Sequence, residues 1–384
     1  MDLTHLAWPF FDAANAALAQ QFARWAEQEL ARFESEEGGD GRAARELFEA
    51  LGRAGWLQAT LPNDSSPDAA KIGLRAVSLL REISSFSSAM ADVALSEPWL
   101  GILPIALYGS AELKTEMLPR YAAGKLLPAF ALSEPDAGSD AAAITTTARR
   151  HGDHYVINGR KSWTSNCGLA DLYVVFARME DDGGFAAFAV DGDASGIAVE
   201  QRLAVLPPHT VGIWTLKDCR VPASRRIGEA GQGFAIAMRV LELFRPTVGA
   251  ATLGFARRAL HEAVQRSRQR TAFKKPIAEH QLIQAKLADM AVSVDAATLL
   301  VYRAAWQHDM TTRGIAREAA IAKLYSSEAA FDVIDEALQI FGGMGVVQGT
   351  AVERLFRHAR AFRIFDGTSE IQKLIIARTI LQSG

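Results

Sequence analysis

The chain has 384 residues, of which 49% are hydrophobic and 22% charged, and its formal net charge is −3. This composition is typical of a globular protein with a large buried core, and it argues against a disordered chain. Because no overall excess of basic residues is present, we do not expect nucleic acid as a partner.

The cysteines and the N-terminus indicate the cellular setting. Cys167 and Cys219 form no CxxC pair and no cluster of zinc spacing, so we expect neither a disulfide framework nor a metal site. No run of about 18 uninterrupted apolar residues is present, so no membrane insertion is expected. Asp2 comes early and the first arginine is Arg24, unlike a secretory signal or transit peptide. A cytoplasmic location is the expectation.

The first part of the chain is predicted to be helical. Apolar residues recur at three- and four-residue spacing in LFEALGRAGWL and LRAVSLLREI. Four prolines are expected to separate the helices: Pro62, Pro67, Pro98 and Pro104.

The pattern changes after residue 130. Short segments rich in β-branched and aromatic residues follow one another: HYVING, DLYVVFARM, FAAFAVDG, GIAVEQRL and GIWTLKDCRV. We expect turns between them, for example at Asn158-Gly159. Strands without intervening helices predict an antiparallel β domain, and the absence of a GxGxxG motif at a helix start gives no support for a dinucleotide-binding Rossmann fold.

From about Gly233 the pattern predicts long helices again, enough to form a bundle. The last of them, SEIQKLIIARTIL, places apolar side chains on one face. The sequence therefore predicts an α+β fold in the order helices, β domain, helical bundle.

Three segments carry polar residues that folding alone does not explain. AFALSEPDAGSD (129–140) combines short polar side chains with glycine, although a turn with a helix cap is an alternative. GRKSWTSN (159–166) sets a tryptophan among hydroxyl groups, which suits a planar ring ligand or, equally, a core tryptophan in a strand. FRIFDGTSEIQKLIIAR (362–378) is either an N-cap cluster or a carboxylate on a glycine turn facing a ligand, with a helix N-terminus available to phosphate.

In this order and spacing, the three segments resemble the acyl-CoA dehydrogenase family. The resemblance covers nearly the whole chain, least well in the first hundred residues, and extends to three further segments: LPPHTVGIWTLKDCRVPASRRIGEAGQGFAIAM, RQRTAFKKPIAEHQLIQAKLADM and QIFGGMG. It implies an N-terminal helical domain (1–127), a middle antiparallel, β-barrel-like domain (128–230) and a C-terminal four-helix bundle (231–384).

The resemblance also implies partners and chemistry. FAD is bound between domains and across a subunit interface of a homotetramer, a pair of dimers. The substrate is an acyl-CoA thioester, and an electron-transfer flavoprotein or similar protein is the electron acceptor. The flavin takes a hydride from the β carbon while a carboxylate removes the α proton.

Position by position, the resemblance implies contacts with FAD for these residues: Ser133, Ser139, Trp163, Ser165, Arg270, Phe273, Gln281, Gln339, Gly342, Gly343, Thr368 and Glu370. Among them, Ser133 and Ser165 match hydrogen-bonding partners of the flavin ring, and Trp163 matches a tryptophan packed on that ring. Substrate contacts are implied for Ser139, Glu242, Arg245 and Gly367.

Two stretches carry further expectations. Arg270, Phe273 and Gln281 match the stretch that reaches the FAD of a neighbouring subunit, although Ala272 replaces a common hydroxyl residue there. Gln339, Gly342 and Gly343 match a loop near the adenosine end, and a helix C-cap is a compatible role for them.

The catalytic base is expected at Asp366, where the family most often has a glutamate. The family's second position for a base is Phe244 here, and Glu242 lies on a different helix face. Aspartate and glutamate differ little in basicity, with ordinary pKa values of about 3.9 and about 4.3. The loss of one methylene shortens the reach by up to about 1.5 Å, and a misplacement of about 1 Å can cost on the order of a hundredfold in rate. Reach therefore matters more than basicity.

Three hypotheses follow for Asp366. A branched or cyclic substrate sits closer and Asp366 is the base; or the chain is an oxidase of the nitroalkane oxidase type, in which the base is an aspartate; or it binds acyl-CoA with slow or partner-dependent turnover. A helical interaction protein without cofactor is a fourth interpretation and predicts a colourless protein. Trp99 and Leu100 could line the acyl pocket, but core packing explains them equally well.

Overall fold

The computed structural model describes residues 1–30, 33, 41–62, 72–181, 184–207, 209–311 and 313–382. Pro67, one of the predicted helix breakers, lies outside these residues. The chain forms two compact units. The first consists of Met1–Ser35, Leu74–Asp92 and Glu242–Gly384, and the second of Glu36–Gly73 and Val93–Leu241.

The first unit is helical. Its helices, two of which continue into the second unit, are α1 (Ala13–Glu29), α3 (Leu74–Ser87), α4 (Ala89–Tyr108), α6 (Gly233–Gln269), α7 (Gln281–Met310), α8 (Ala316–Phe341), α9 (Ala351–Ala361) and α10 (Ser369–Gln382). Helix α1 begins at a capping box, in which Asp12 and Asn15 each accept a hydrogen bond from the other's backbone amide. Helix α6 continues without a break through Pro246, which lies inside it.

The second unit combines helices α2 (Arg42–Arg53) and α5 (Ala111–Ala122) with a sheet. Its strands are β1 (Pro128–Ala131), β2 (Thr147–His151), β3 (His154–Ser165), β4 (Leu172–Met179), β5 (Phe185–Asp191), β6 (Ile197–Leu203), β7 (Val211–Pro222) and β8 (Arg226–Ile227). The order is β6-β7-β3-β2-β4-β5-β8, with β1 beside β4. The pairs are antiparallel, as predicted, except β1–β4 and β2–β4, which are parallel.

The sheet core is aromatic and apolar. Trp214, Phe188 and Tyr173 are each exposed by 1% or less. Tyr173 and Trp214 pack with their ring centroids 4.4 Å apart. A core of this kind fixes β7 and its neighbour β3, which carries the polar segment around Trp163.

The prediction of a turn at Asn158-Gly159 was wrong. Both residues lie inside β3, where the pairing with β7 shifts between Ile157 and Gly159. A side chain at 159 would place its Cβ 2.2 Å from Oγ1 of Thr146, so this glycine is required by close packing. The hairpin turn lies earlier, at residues 152–153 between β2 and β3.

The prediction that Pro98 and Pro104 end helices was also wrong, because both lie within α4. Each proline removes one backbone hydrogen bond from the helix. Burial offsets this loss, since Trp99 is fully buried and its indole Nε1 donates to the carbonyl of Thr60 at 2.9 Å. Trp99 and the 5% exposed Leu100 thus take the core-packing role.

Helix α4 is also the one described helix that is long and apolar enough to cross a membrane by length and composition. The apolar window within it is 89% buried inside the protein. This burial is that of a core helix.

Candidate active site

The segment after β1 is held by a buried ion pair. Lys161 Nζ lies 2.9 Å from Oε1 of Glu134, with the two side chains 0% and 4% exposed. Glu134 also accepts hydrogen bonds from the backbone amides of Thr145 and Thr146, at 2.6 and 3.0 Å. The segment is therefore a loop fixed by this ion pair, and Asp140 at its end precedes a short 3-10 helix (Ala141–Ala143) without a side-chain cap hydrogen bond.

In the Glu134–Lys161 pair, the pKa values of both side chains differ from their ordinary values. Burial opposes the charge on Glu134, but the Lys161 charge and the hydrogen bonds from Thr146 and Thr145 outweigh it and lower the pKa to about 2. Burial lowers the pKa of Lys161 to about 8, although Glu134 opposes this change. Both groups are charged at neutral pH, so the brace is ionic.

The loop held by this ion pair places one predicted flavin contact, Ser133, beside β3. The carbonyl of Ser133 accepts a hydrogen bond from the amide of Ser162 at 3.0 Å, so Ser133 lies next to the strand segment that carries Trp163 and Ser165. Ser139 lies further along the loop and is exposed. The structure thus groups Ser133, Trp163 and Ser165.

Trp163 is not a core residue. Its side chain is 61% exposed, and its backbone has φ of 56° at an irregularity of the β3–β7 pairing. A left-handed backbone is uncommon for a bulky residue and points to a local functional demand. The next residue, Thr164, faces inward and accepts a hydrogen bond from the Trp214 indole at 2.9 Å.

Ser165 has a partner that the sequence did not reveal. Its hydroxyl donates to Oε2 of Glu97 on α4 at 2.6 Å. The Glu97 side chain is 14% exposed, and Nε2 of His209 lies 4.0 Å from the same oxygen. The one sequence signal for Glu97 is an acidic residue within a predominantly apolar helix.

In the first unit, a short hairpin carries the residues expected near a second subunit's FAD. Strands β9 (Thr271–Ala272) and β10 (Lys275–Pro276) are joined by Phe273 and Lys274, with φ of 51° and 68°. Phe273 is 92% exposed in this tight turn, a conformation that favours asparagine or glycine. Arg270 and Gln281 flank the hairpin and are exposed.

The end of α8 approaches this region. Arg266 on α6 stacks over the Phe341 ring, 5.6 Å from its centroid. Gly342 then caps α8 with φ of 62° and ψ of −139°, a conformation open to glycine alone. Nothing lies within 4 Å of a Cβ added at Gly342 or Gly343, and Gln339 is exposed.

Asp366 lies on a left-handed turn between α9 and α10. Asp366 and Gly367 have φ of 57° and 88°. The carbonyl of Gly367 accepts two hydrogen bonds, from Nζ of Lys323 and from Nε2 of Gln372, each at 2.8 Å. Thr368 Oγ1 accepts a hydrogen bond from the amide of Ile371 at 3.3 Å. The turn thus serves as a helix cap and also holds a carboxylate.

Two buried cations act on Asp366. Arg245 is 8% exposed and Lys323 fully buried. Burial lowers the pKa of Arg245, while the charges of Glu242 and Asp366 oppose this change. Burial also lowers the pKa of Lys323, to about 8, and the Asp366 charge opposes it most. Arg245 and Asp366, predicted separately, are therefore electrostatic neighbours.

The remaining predicted residues have other surroundings. Oε1 of Glu242 accepts a hydrogen bond from the amide of Ile315 at 2.7 Å, which holds the start of α8. Phe244 is buried under the guanidinium of Arg81, 4.8 Å from the ring centroid. Glu370 is exposed in the first turn of α10. Among the described residues, no group of three or more His, Cys, Asp or Glu side chains could hold a metal ion.

Sequence models of three protein-family domains match consecutive parts of the chain. The N-terminal domain of acyl-CoA dehydrogenase matches residues 12–125, the middle domain residues 129–216, and the C-terminal domain residues 231–381. The chain belongs to the acyl-CoA dehydrogenase family.

Relatives in the acyl-CoA dehydrogenase family cover most of the chain. A cyclohexane-1-carbonyl-CoA dehydrogenase of Geobacter metallireducens is 41% identical over 288 residues, 74% of this chain and 75% of that protein. The mitochondrial short-chain specific acyl-CoA dehydrogenase of Mus musculus is 39% identical over 342 residues, 87% of this chain and 82% of that protein. The butyryl-CoA dehydrogenase structure from Megasphaera elsdenii matches with a TM-score of 0.89 at 31% identity, over 99% of this chain and 100% of that one. These matches confirm the predicted family and fold class.

Proposed function

We propose that this protein dehydrogenates an acyl-CoA thioester between its α and β carbons, with Asp366 as the base that removes the α proton. As a member of the acyl-CoA dehydrogenase family, the protein is an FAD-dependent oxidoreductase. The observation that carries the assignment of the base is the turn at Asp366, where a carboxylate on a left-handed backbone interacts electrostatically with two buried cations, Arg245 and Lys323.

The residues of both units, each taken by itself, fit FAD. In the second unit, the exposed indole of Trp163 offers a flat face two residues before Ser165, whose hydroxyl is a hydrogen-bonding group. In the first unit, the exposed Phe273 ring and the open backbone at Gly342 and Gly343 suit a ligand that approaches closely.

The chain's own residues would divide the reaction as follows. FAD, when bound, accepts the hydride from the β carbon. The Asp366 carboxylate takes the α proton and holds it. The positive charges of Arg245 and Lys323 favour the ionised carboxylate, which is the form able to accept that proton. Arg245 Nε, which has no hydrogen-bond partner among the described residues, is available to an oxygen of the CoA chain.

We further propose a cyclic or branched acyl group. The shorter reach of aspartate requires the α carbon to sit nearer the turn than it would for glutamate. The 41% identity with a dehydrogenase of cyclohexane-1-carbonyl-CoA supports a ring-shaped acyl group. Trp99 and Leu100 pack in the core and are not part of the proposed acyl pocket.

We also propose a homotetrameric assembly, an electron-transfer flavoprotein as electron acceptor and a cytoplasmic location. Exposed apolar side chains on α7 and α10, among them Leu282 at 79% and Leu381 at 82%, support a homotetramer built from pairs of dimers. An electron-transfer flavoprotein is the proposed electron acceptor. The buried free thiols of Cys167 and Cys219 are consistent with the cytoplasm.

Anaerobic mixing of the FAD-loaded protein with a panel of acyl-CoA thioesters tests the proposed function. We expect cyclohexane-1-carbonyl-CoA or another cyclic or branched thioester to bleach the flavin fastest, and Asp366→Asn to slow that bleaching by at least about a hundredfold. Absence of bleaching by every thioester, together with oxygen-dependent turnover of a nitroalkane, would overturn it in favour of an oxidase.

A further inference from the structure

A buried lysine lies beneath the turn that carries Asp366. Lys323 is on α8 and fully buried, and its Nζ donates a hydrogen bond to the carbonyl of Gly367 at 2.8 Å. Removing an ammonium group from water is unfavourable unless other charges or hydrogen bonds compensate. The position of Lys323 therefore calls for an explanation beyond packing.

A hydrogen bond alone does not require a lysine at this position. The same Gly367 carbonyl accepts a second hydrogen bond from Gln372, also at 2.8 Å. The Gln372 amide is neutral, so the chain already fastens the turn without charge. What Lys323 adds is a positive charge next to Asp366.

The charges around Lys323 identify its partner. Burial lowers the pKa of Lys323, and among the groups that act on it Asp366 comes first, ahead of Arg245, Glu328 and Glu370. Glu328 is engaged elsewhere, with Arg363 at 2.6 Å and with Ser369. The electrostatic attraction between two groups acts equally on both. Asp366 stabilises the charged form of Lys323 more than the other acidic groups do, so it is also the carboxylate whose charged form Lys323 stabilises most.

We propose that Lys323 is a positioning residue for the base: its ammonium group fastens the Asp366–Gly367 turn and keeps Asp366 ionised when an acyl chain displaces water. This inference rests on the proposed function. Asp366 is the foremost charged partner of Lys323, whereas for Arg245, the second cation near Asp366, Glu242 comes before Asp366. Without that charge, an apolar substrate would favour the protonated and inactive carboxylic acid.

The test isolates proton removal from hydride transfer. Phenylacetyl-CoA has α protons but no hydrogen on its β carbon, so exchange of its α protons in D₂O reports the base alone. The FAD-loaded parent, Lys323→Gln, Gln372→Met and Asp366→Asn are compared by mass spectrometry from about pH 5 to about pH 9. Flavin reduction by the most active thioester of the panel is followed over the same range. Lys323→Gln retains a donor and removes the charge, whereas Gln372→Met removes a neutral donor to the same carbonyl.

We expect Lys323→Gln to move the acid limb of both profiles upward by about 1 pH unit, and Gln372→Met to leave the midpoint in place. An unchanged midpoint in Lys323→Gln, with exchange lost in Asp366→Asn, would overturn the role of Lys323 and leave the base assignment standing. Exchange in Asp366→Asn as fast as in the parent would instead overturn the proposed function. If Lys323→Gln does not fold, Lys323→Met is judged by the same midpoint.

Discussion

The hydroxyl of Ser165 donates a hydrogen bond to Oε2 of Glu97, with 2.6 Å between the two oxygens. A serine hydroxyl has one proton, so Ser165 can offer only acceptor lone pairs to any further partner. Ser165 also lies beside the exposed Trp163, where we propose the flavin ring. Glu97 therefore determines what kind of hydrogen bond Ser165 can make to the flavin.

We predict that Glu97→Gln raises the reduction potential of the bound flavin by on the order of 30 mV, about tenfold in the equilibrium constant. A carboxylate disfavours the addition of electron density nearby, and the neutral amide does not. Potentiometric titration of the purified holoprotein measures the change. Glu116→Gln is the matched control, because it removes a carboxylate of an exposed ion pair with Arg225. A potential that Glu97→Gln lowers or leaves unchanged would contradict the prediction.

The Glu134–Lys161 pair predicts a loss of stability in acid. The pKa of Glu134 is about 2 in the folded protein, below its ordinary value of about 4.3, so the stabilisation is complete above that ordinary value. It is lost as the pH falls through the folded value, because the unfolded chain then binds more protons. The free energy involved is about 3 kcal/mol.

Urea unfolding as a function of pH tests this prediction at fixed FAD concentration. Glu134→Gln should unfold at lower urea than the parent at neutral pH, and it should lose less stability in acid. Glu116→Gln should change the free energy of unfolding by less than about 1 kcal/mol, since exposed ion pairs contribute little. Equal acid sensitivity of parent and Glu134→Gln would rule out the pair as the cause.

Phe273 should matter for FAD and not for folding. The side chain is 92% exposed, and its φ of 51° is unfavourable for a bulky residue. We expect Phe273→Ala to leave the urea midpoint nearly unchanged and to weaken FAD binding by about threefold to tenfold, the range of an aromatic contact. Fluorescence of FAD released on dilution measures the affinity. Val199→Ala, which removes another exposed apolar side chain, should retain FAD like the parent.

Local sequence patterns were sufficient to predict which segments form helices and strands, but less so to predict where these elements end. The glycine at 159 and the prolines at 98 and 104 are turn and break signals in isolation, yet Thr146 and the buried surface of α4 override them. Such tertiary contacts leave no trace in a local window.

For the candidate site too, local sequence revealed some features and tertiary contacts determined the others. The Asp366 turn could be recognised from adjacent residues, whereas its hydrogen bond to Lys323 spans 44 positions and that of Ser165 to Glu97 spans 68. The helical period places Lys323 on the same face as the small residues Ala319 and Ser326, which the structure shows to be fully buried. The helical period does not reveal that this face of α8 packs against the Asp366–Gly367 turn.

The rate of flavin reduction in a single anaerobic turnover tests the central claim most directly. The parent and Asp366→Asn are mixed with the thioester that bleaches the parent fastest, after both have been shown to bind it equally. If Asp366 is the base, the variant is slower by about a hundredfold to ten-thousandfold, the usual contribution of a general base. Reduction of the variant's flavin within about threefold of the parent rate would show that another group removes the α proton.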